Sequence, residues 1–304
     1  MKILEPDHIH RLKSEMDQNG FCILHDLFEP DLMDQVRNRI DAQAQAEREG
    51  DVTTMDQVQR EGDGNQWVYM LINKGDIFQR LLEHPTPHEI VRHVLGPNYL
   101  LSDFAATITH PGNKLMGMHR DQWWVPEPRL PDEPHQRCGD INRGNVSLGE
   151  NLKSTLPINP PAVCNVLWMV SDFTVTNGGT RIVPGSHLSG TNPDPFAAHD
   201  AINATGNAGS CVIFEGRTWH SADLNSGDAP RYGITTYYGG PQYRQMNNFT
   251  YGARLDVQEN LDDAKRQLLG FKPWGGYGAT GDQHADYILR GEEQPGAMGR
   301  DIDD

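Results

Sequence analysis

The stretch Cys211-Val212-Ile213-Phe214-Glu215-Gly216-Arg217-Thr218-Trp219-His220 decides the fold. Its first four residues form an apolar run of strand length, and Glu215-Gly216 turns the chain out of it. His220 is therefore expected at the mouth of a β-structure. Similar runs surround it: Tyr99 to Thr109, Ala162 to Val170, Gly179 to Val183 and Tyr232 to Tyr238. Short strands between Gly, Pro and Asn turns, with few helices among them, predict a mainly β sandwich or jelly roll. The chain shows no internal repeat.

Upstream of about residue 98 the pattern is helical. Ile9, Leu12 and Met16 lie at helical spacing in Pro6 to Met16, and Asn19-Gly20 ends that segment. Phe21 to Leu24 reads as a short buried strand. Asp31 is expected to cap a helix running to about Glu49, with Leu32, Val36 and Ile40 facing inward. A second helical stretch, Ile77 to Val94, contains Pro85 and Pro87 and stops at Gly96-Pro97. These readings give one domain over 1–304: N-terminal helices over about 6–97, a β core over about 98–240, and a C-terminal helix with a flexible tail over 252–304. The Pro-, Gly- and charge-rich stretch 125–161 reads as an insertion, either surface or a lid over the core. Gly275-Gly276-Tyr277-Gly278-Ala279-Thr280-Gly281 lacks the Lys-Ser/Thr ending of a phosphate loop and reads as a flexible segment.

Composition narrows the partners. Among 304 residues, 26 Lys plus Arg stand against 42 Asp plus Glu, a net charge of −16 that repels nucleic acid and anionic lipid. No apolar run approaches the roughly 20 residues that span a bilayer, and the N-terminus lacks the apolar region of a signal peptide. Cys22, Cys138, Cys164 and Cys211 lie far apart, which fits a reducing cytosol rather than a disulfide scaffold or zinc ribbon. A cytoplasmic protein acting on a small molecule is expected, with a homodimer as the base-rate assembly.

Three elements carry chemistry. In Met116-Gly117-Met118-His119-Arg120-Asp121-Gln122-Trp123-Trp124, strand alternation would put His119 and Asp121 on one face. His220 could complete a two-histidine, one-carboxylate face, the set suited to non-haem Fe(II) and O2 because it leaves coordination positions open. A zinc site would ask for a third nitrogen or sulfur ligand. Arg231 opens Arg-Tyr-Gly-Ile-Thr-Thr-Tyr-Tyr and alternates with Gly233, Thr235 and Tyr237. An interior Arg calls for an anion, either a bound carboxylate or a buried Asp or Glu of the protein. By parity with His119 and Asp121, Trp123 is expected to line the substrate pocket, and Met118 is a further candidate for that lining.

Taken together, His119-Arg120-Asp121, the distal His220 and Arg231 resemble the phytanoyl-CoA dioxygenase-like branch of the Fe(II)/2-oxoglutarate oxygenases. Asn177-Gly178-Gly179-Thr180-Arg181-Ile182-Val183-Pro184-Gly185-Ser186-His187 is similar to the family's N-G-[GA]-x-x-x-x-P-G-S-H segment. Gly20-Phe21-Cys22-Ile23-Leu24-His25-Asp26-Leu27-Phe28 followed by a helix resembles its usual opening, so the similarity spans roughly 19–240. The resemblance implies a double-stranded β-helix, cupin-like, with His119, Asp121 and His220 as iron ligands and Arg231 holding the distal carboxylate of 2-oxoglutarate. Thr180 matches a position that hydrogen-bonds this cosubstrate in some relatives. The Gln that other relatives place before the first His ligand is absent, since Gly117 and Met116 stand there, and Asn165 is the substitute candidate. His187 is expected to be structural. Related halogenases lack the ligand carboxylate, so Asp121 disfavours halogenation.

The activity implied is oxidation of an unactivated C–H bond in a metabolite or natural-product intermediate by O2, with hydroxylation as the default and succinate and CO2 released. Two other classes remain: a non-catalytic jelly-roll binder that retains its metal, and a cupin-like metal-dependent hydrolase or isomerase. Arg231 argues against both, because neither requires a buried carboxylate anchor.

Overall fold

The computed structural model describes residues 1–50, 65–125, 158–282 and 285–288. Pro6 at the first helical position and Gly20 in the left-handed region (φ 79°) bound α1 (Pro6–Asn19), which buries Leu12 and Met16. The strand β1 (Phe21–Leu24) leads into α2 (Pro30–Glu49), whose face of Leu32, Met33, Val36, Ile40 and Ala44 is buried. Its N-cap is Glu29 rather than Asp31, because Pro30 has the fixed φ and missing N–H that suit the first helical position. After β2 (Asn65–Val68), the expected single stretch is two helices, α3 (Asp76–Leu82) and α4 (Pro85–Leu95). The break lies at Glu83-His84, where the His84 ring accepts from the Thr86 amide and Pro85 opens the new helix.

The remaining strands are β3 (Leu100–Thr109), β4 (Val163–Met169), β5 (Thr180–Ile182), β6 (Ile202–Ala204), β7 (Cys211–Glu215), β8 (His220–Ala222) and β9 (Arg231–Gly239). Three short helices follow: α5 (Phe249–Gly252), α6 (Leu255–Glu259) and α7 (Asp263–Leu269). A six-stranded sheet has the order β1-β7-β4-β9-β3-β2, and a three-stranded sheet has the order β6-β5-β8. All these pairings are antiparallel. This is the jelly-roll arrangement of antiparallel sheets flanked by helices.

Alternation along the large sheet divides its residues between two environments. Phe104, Ala106 and Ile108 of β3, Val166 and Trp168 of β4 and Ile213 of β7 join the helices in the main core. Leu167, Met169, Val212 and Phe214 face the other way and pack with Ile182 and Ala204 of the small sheet. The site lies on this second side, between the sheets.

Cys22, Cys164 and Cys211 are buried free thiols on β1, β4 and β7. No helix among the described residues is long and apolar enough to cross a membrane. Most of the 125–161 insertion and the end of the tail lie outside the described residues. The glycine-rich segment is a tight turn, with Trp274 and Tyr277 exchanging backbone hydrogen bonds of 3.0 and 2.9 Å.

Candidate metal centre and cosubstrate pocket

His220 opens β8, and its backbone exchanges two hydrogen bonds with that of His119, of 2.9 and 3.0 Å. His119 is therefore an isolated bridge at the edge of the small sheet, and not part of a continuous strand. Asp121 sits in the following turn, where the amides of Asp121 and Gln122 both donate to the Gly216 carbonyl at 2.9 and 3.0 Å. A Cβ on Gly216 would lie 2.6 Å from Val163 Cβ, so only glycine lets this carbonyl approach. Thus the turn that delivers His220 also holds Asp121.

The two imidazoles are oriented alike. His119 Nδ1 donates to the Gly117 carbonyl at 2.9 Å, and His220 Nδ1 donates to the Thr218 carbonyl at 3.0 Å. This sets the tautomer in which each Nε2 carries the lone pair that a metal takes. The Nε2 atoms lie 3.6 Å (His119) and 3.5 Å (His220) from the Asp121 carboxylate oxygens. One ligand atom from each residue falls within 4.8 Å of the others.

Burial, opposed by the Asp121 charge, lowers His220 to about 4 and keeps it neutral. Burial alone would raise Asp121, but His220, His119 and the Asn165 amide outweigh it and hold the carboxyl at about 2. Two imidazole nitrogens and one carboxylate form the donor set that Fe(II) takes.

Asn165, on β4, donates its side-chain amide to Asp121 Oδ2, while its own Oδ1 is buried without a partner among the described residues. Arg231 opens β9, directly opposite Thr109 of β3, and donates from Nη2 to Thr109 Oγ1 at 2.7 Å. Its guanidinium lies 4.3 Å above the Phe173 ring. Arg231 is buried and has no acidic partner among the described residues, and its Nε is unpaired. Burial lowers it to about 10, which leaves the charge in place at neutral pH. Such a group fits an incoming carboxylate, and the intramolecular salt bridge that the sequence left open is not formed among the described residues.

A cavity of about 540 Å³ joins these groups. His119, Asp121, His220, Asn165, Thr180 and Arg231 all line it. Thr180 enters from β5 through the Asn177-Gly178-Gly179 turn, where a Cβ on Gly179 would stand 2.7 Å from the Thr174 carbonyl oxygen. His187 lies outside the cavity; its Nε2 meets the Asp17 carbonyl at 3.2 Å. Ser186 Oγ accepts from the Trp219 amide at 2.8 Å, so the Pro-Gly-Ser-His segment braces the approach to His220.

Two residues expected at the substrate pocket are placed differently from the ligands. Met118 is buried and Met116 lines the cavity, and neither Met118 nor Trp123 is part of its lining. The chain turns at Asp121, so strand alternation does not extend from His119 to Trp123. The sequence reading missed Asp103, Trp67, Tyr69 and Asn247, which line the cavity together with Tyr237 from the Arg231 side of β9. The one charge in the Tyr99 to Thr109 run was the available signal for Asp103.

The family model for phytanoyl-CoA dioxygenase (PhyH) matches residues 16–233. The chain belongs to the phytanoyl-CoA dioxygenase family. This PhyH-family chain is an Fe(II)/2-oxoglutarate-dependent dioxygenase. It is 26% identical over 256 residues to Dioxygenase af480 of Aspergillus fumigatus, covering 83% of this chain and 70% of that one. Matches to three further fungal dioxygenases span 60%, 51% and 59% of their lengths. The fold is similar to that of EctD from S. alaskensis, solved with 2-oxoglutarate and 5-hydroxyectoine (TM-score 0.57, 15% identity, 80% of this chain and 81% of that one). It is also similar to the epimerase SnoN in complex with Fe3+, alpha ketoglutarate and nogalamycin RO (TM-score 0.54, 18% identity, 80% and 88%).

Proposed function

We propose that this dioxygenase hydroxylates an unactivated C–H bond of a small natural-product intermediate, with His119, Asp121 and His220 as the iron ligands. The observation that carries the reading is the pairing of that donor set with a buried Arg231 that lacks a carboxylate partner among the described residues. Arg231 would hold the distal carboxylate of 2-oxoglutarate, steadied by Thr109, with Thr180 and Asn165 beside it. Bound iron and cosubstrate supply the chemistry: O2 is reduced as 2-oxoglutarate loses CO2 to give succinate, and a C–H bond is oxidised.

The chain's own contribution is positional. The Gly117 and Thr218 carbonyls aim the imidazoles, Asn165 holds the carboxylate, and the apolar walls of Leu167 and Phe214 exclude water from the reacting carbon. A natural-product substrate is supported by SnoN, an epimerase from nogalamycin biosynthesis, and by the apolar cavity between the sheets. Because SnoN is an epimerase, the outcome at the carbon is the point to test. Turnover of candidate substrates with Fe(II), 2-oxoglutarate and O2 should give a product heavier by one oxygen atom. A product lacking two hydrogens, or one of unchanged mass, would replace hydroxylation with desaturation or epimerisation.

A further inference from the structure

The β3–β9 ladder contains one irregularity, and it falls at a charge. Leu101 pairs with Tyr238 and Asp103 with Tyr237, so Ser102 is an extra residue on β3. The bulge reverses the alternation. Leu101 points into the main core with Phe104, Ala106 and Ile108, while Asp103 takes the opposite face with Thr107 and Thr109 and lines the cavity.

The bulged residue also docks a distant segment. Ser102 Oγ accepts from the Met246 amide at 2.8 Å, and the Ser102 carbonyl accepts from the Asn247 amide at 2.9 Å. That docking sets the Asn247 side chain over Asp103, where it donates to Oδ1. The Phe104 amide donates to the same oxygen at 2.8 Å. Oδ2 receives no hydrogen bond from any described residue, although Asp103 is only 6% exposed. A carboxylate this buried, with one oxygen braced and the other left to a cavity, is costly unless something fills the second position.

Its location suits substrate rather than cosubstrate. Asn165, Tyr237 and Asp103 lie in register on β4, β9 and β3, so Asp103 is two strand spacings, roughly 10 Å, from the residue that holds Asp121. Arg231 pairs with Thr109, six residues along β3 from Asp103. Beside Asp103 the wall is aromatic: Trp67 and Tyr69 stack with ring centroids 5.7 Å apart and planes inclined by 7°.

We propose that Asp103, braced by Asn247, anchors the substrate by accepting a hydrogen bond from a hydroxyl or protonated amine on an otherwise apolar, ring-bearing molecule. The ring system then lies along Trp67 and Tyr69 and presents its far end to the three ligand side chains. Burial raises the Asp103 carboxyl, opposed by the Phe104 and Asn247 hydrogen bonds, to about 6, so it is an anionic acceptor at neutral pH.

The proposal rests on the oxygenase reading above, and its test separates the two. Protein is loaded anaerobically with Fe(II) and 2-oxoglutarate, then titrated by calorimetry with trans-decalin, 2-decalol and 2-aminodecalin. The visible band of chelated cosubstrate reports the oxygenase reading, whereas heat of binding reports the donor preference with or without that band. The alcohol or the amine should bind roughly tenfold tighter than the hydrocarbon or better, and Asp103→Ala should erase the difference. Asp103→Asn keeps an acceptor without its charge, so it retains a preference for the alcohol and loses one for the amine. Equal or undetectable binding of all three probes, or a preference that survives in Asp103→Ala, overturns the anchor.

Discussion

The backbones of His119 and His220 hydrogen-bond each other in both directions, so neither imidazole can be placed without the other. Their rings lie with centroids 4.3 Å apart, and each Nδ1 is tied to a carbonyl two residues upstream. The donor set is thus assembled by backbone before any metal arrives. Replacing His220 by Ala should abolish stoichiometric Fe(II) binding while leaving the far-ultraviolet circular dichroism unchanged, as metal analysis and spectroscopy would show.

Asn165 supports the third member of the set. Its amide is the side-chain donor on Asp121 Oδ2, and partners of ligand groups typically carry about 10–100-fold in metal affinity. Asn165→Leu should lower Fe(II) affinity by roughly that factor in a competitive chelator titration. Unchanged iron affinity with weakened 2-oxoglutarate binding would move Asn165 to the cosubstrate.

Arg231 is a buried charge with no acidic partner among the described residues, so its removal sacrifices no ion pair. Arg231→Met should leave the unfolding midpoint unchanged or raise it, while the Kd for 2-oxoglutarate rises about 30-fold or more. Calorimetric titration of the cosubstrate checks the second part and thermal denaturation the first.

Gly216 links the fold to the site. A methyl group there meets Val163 at 2.6 Å, and the backbone shift that relieves the clash displaces the carbonyl holding Asp121 and Gln122. Gly216→Ala should cost about 1–3 kcal/mol in urea unfolding and also weaken Fe(II) binding. A Gly209→Ala control, in which Cβ would meet the Phe28 carbonyl instead, should cost stability alone.

His84 gives the stability a pH dependence. It is fully buried against Phe28 and Trp168, and burial lowers it to about 4. The unfolded chain takes up this proton near pH 6.5 and the folded chain only near 4. The stabilisation is therefore complete above about 6.5 and declines as the pH falls toward 4. In His84→Asn the urea midpoint should fall less steeply across that window than in the wild type.

Much of the β-core could be read directly, because its strands are short apolar runs bounded by turn residues, and Arg231 and His220 sit at the ends of such runs. What remained hidden depends on long-range contacts. His119 and Asp121 looked like neighbours on one strand, yet a bridge to His220 and the Gly216 carbonyl bring them together from about a hundred residues away. For the same reason, strand parity does not carry through to Trp123. Asp103 was visible as a charge in an apolar run, but its direction depends on the bulge at Ser102, and a bulge is not encoded in alternation.

The central claim is that His119, Asp121, His220 and Arg231 together bind iron and 2-oxoglutarate. It is tested most directly by an anaerobic absorption titration of the metal-free protein with Fe(II) and then 2-oxoglutarate. The account predicts a weak visible charge-transfer band that saturates at one equivalent of each and requires far more 2-oxoglutarate in Arg231→Met. Iron binding confirmed by metal analysis with no such band would contradict it.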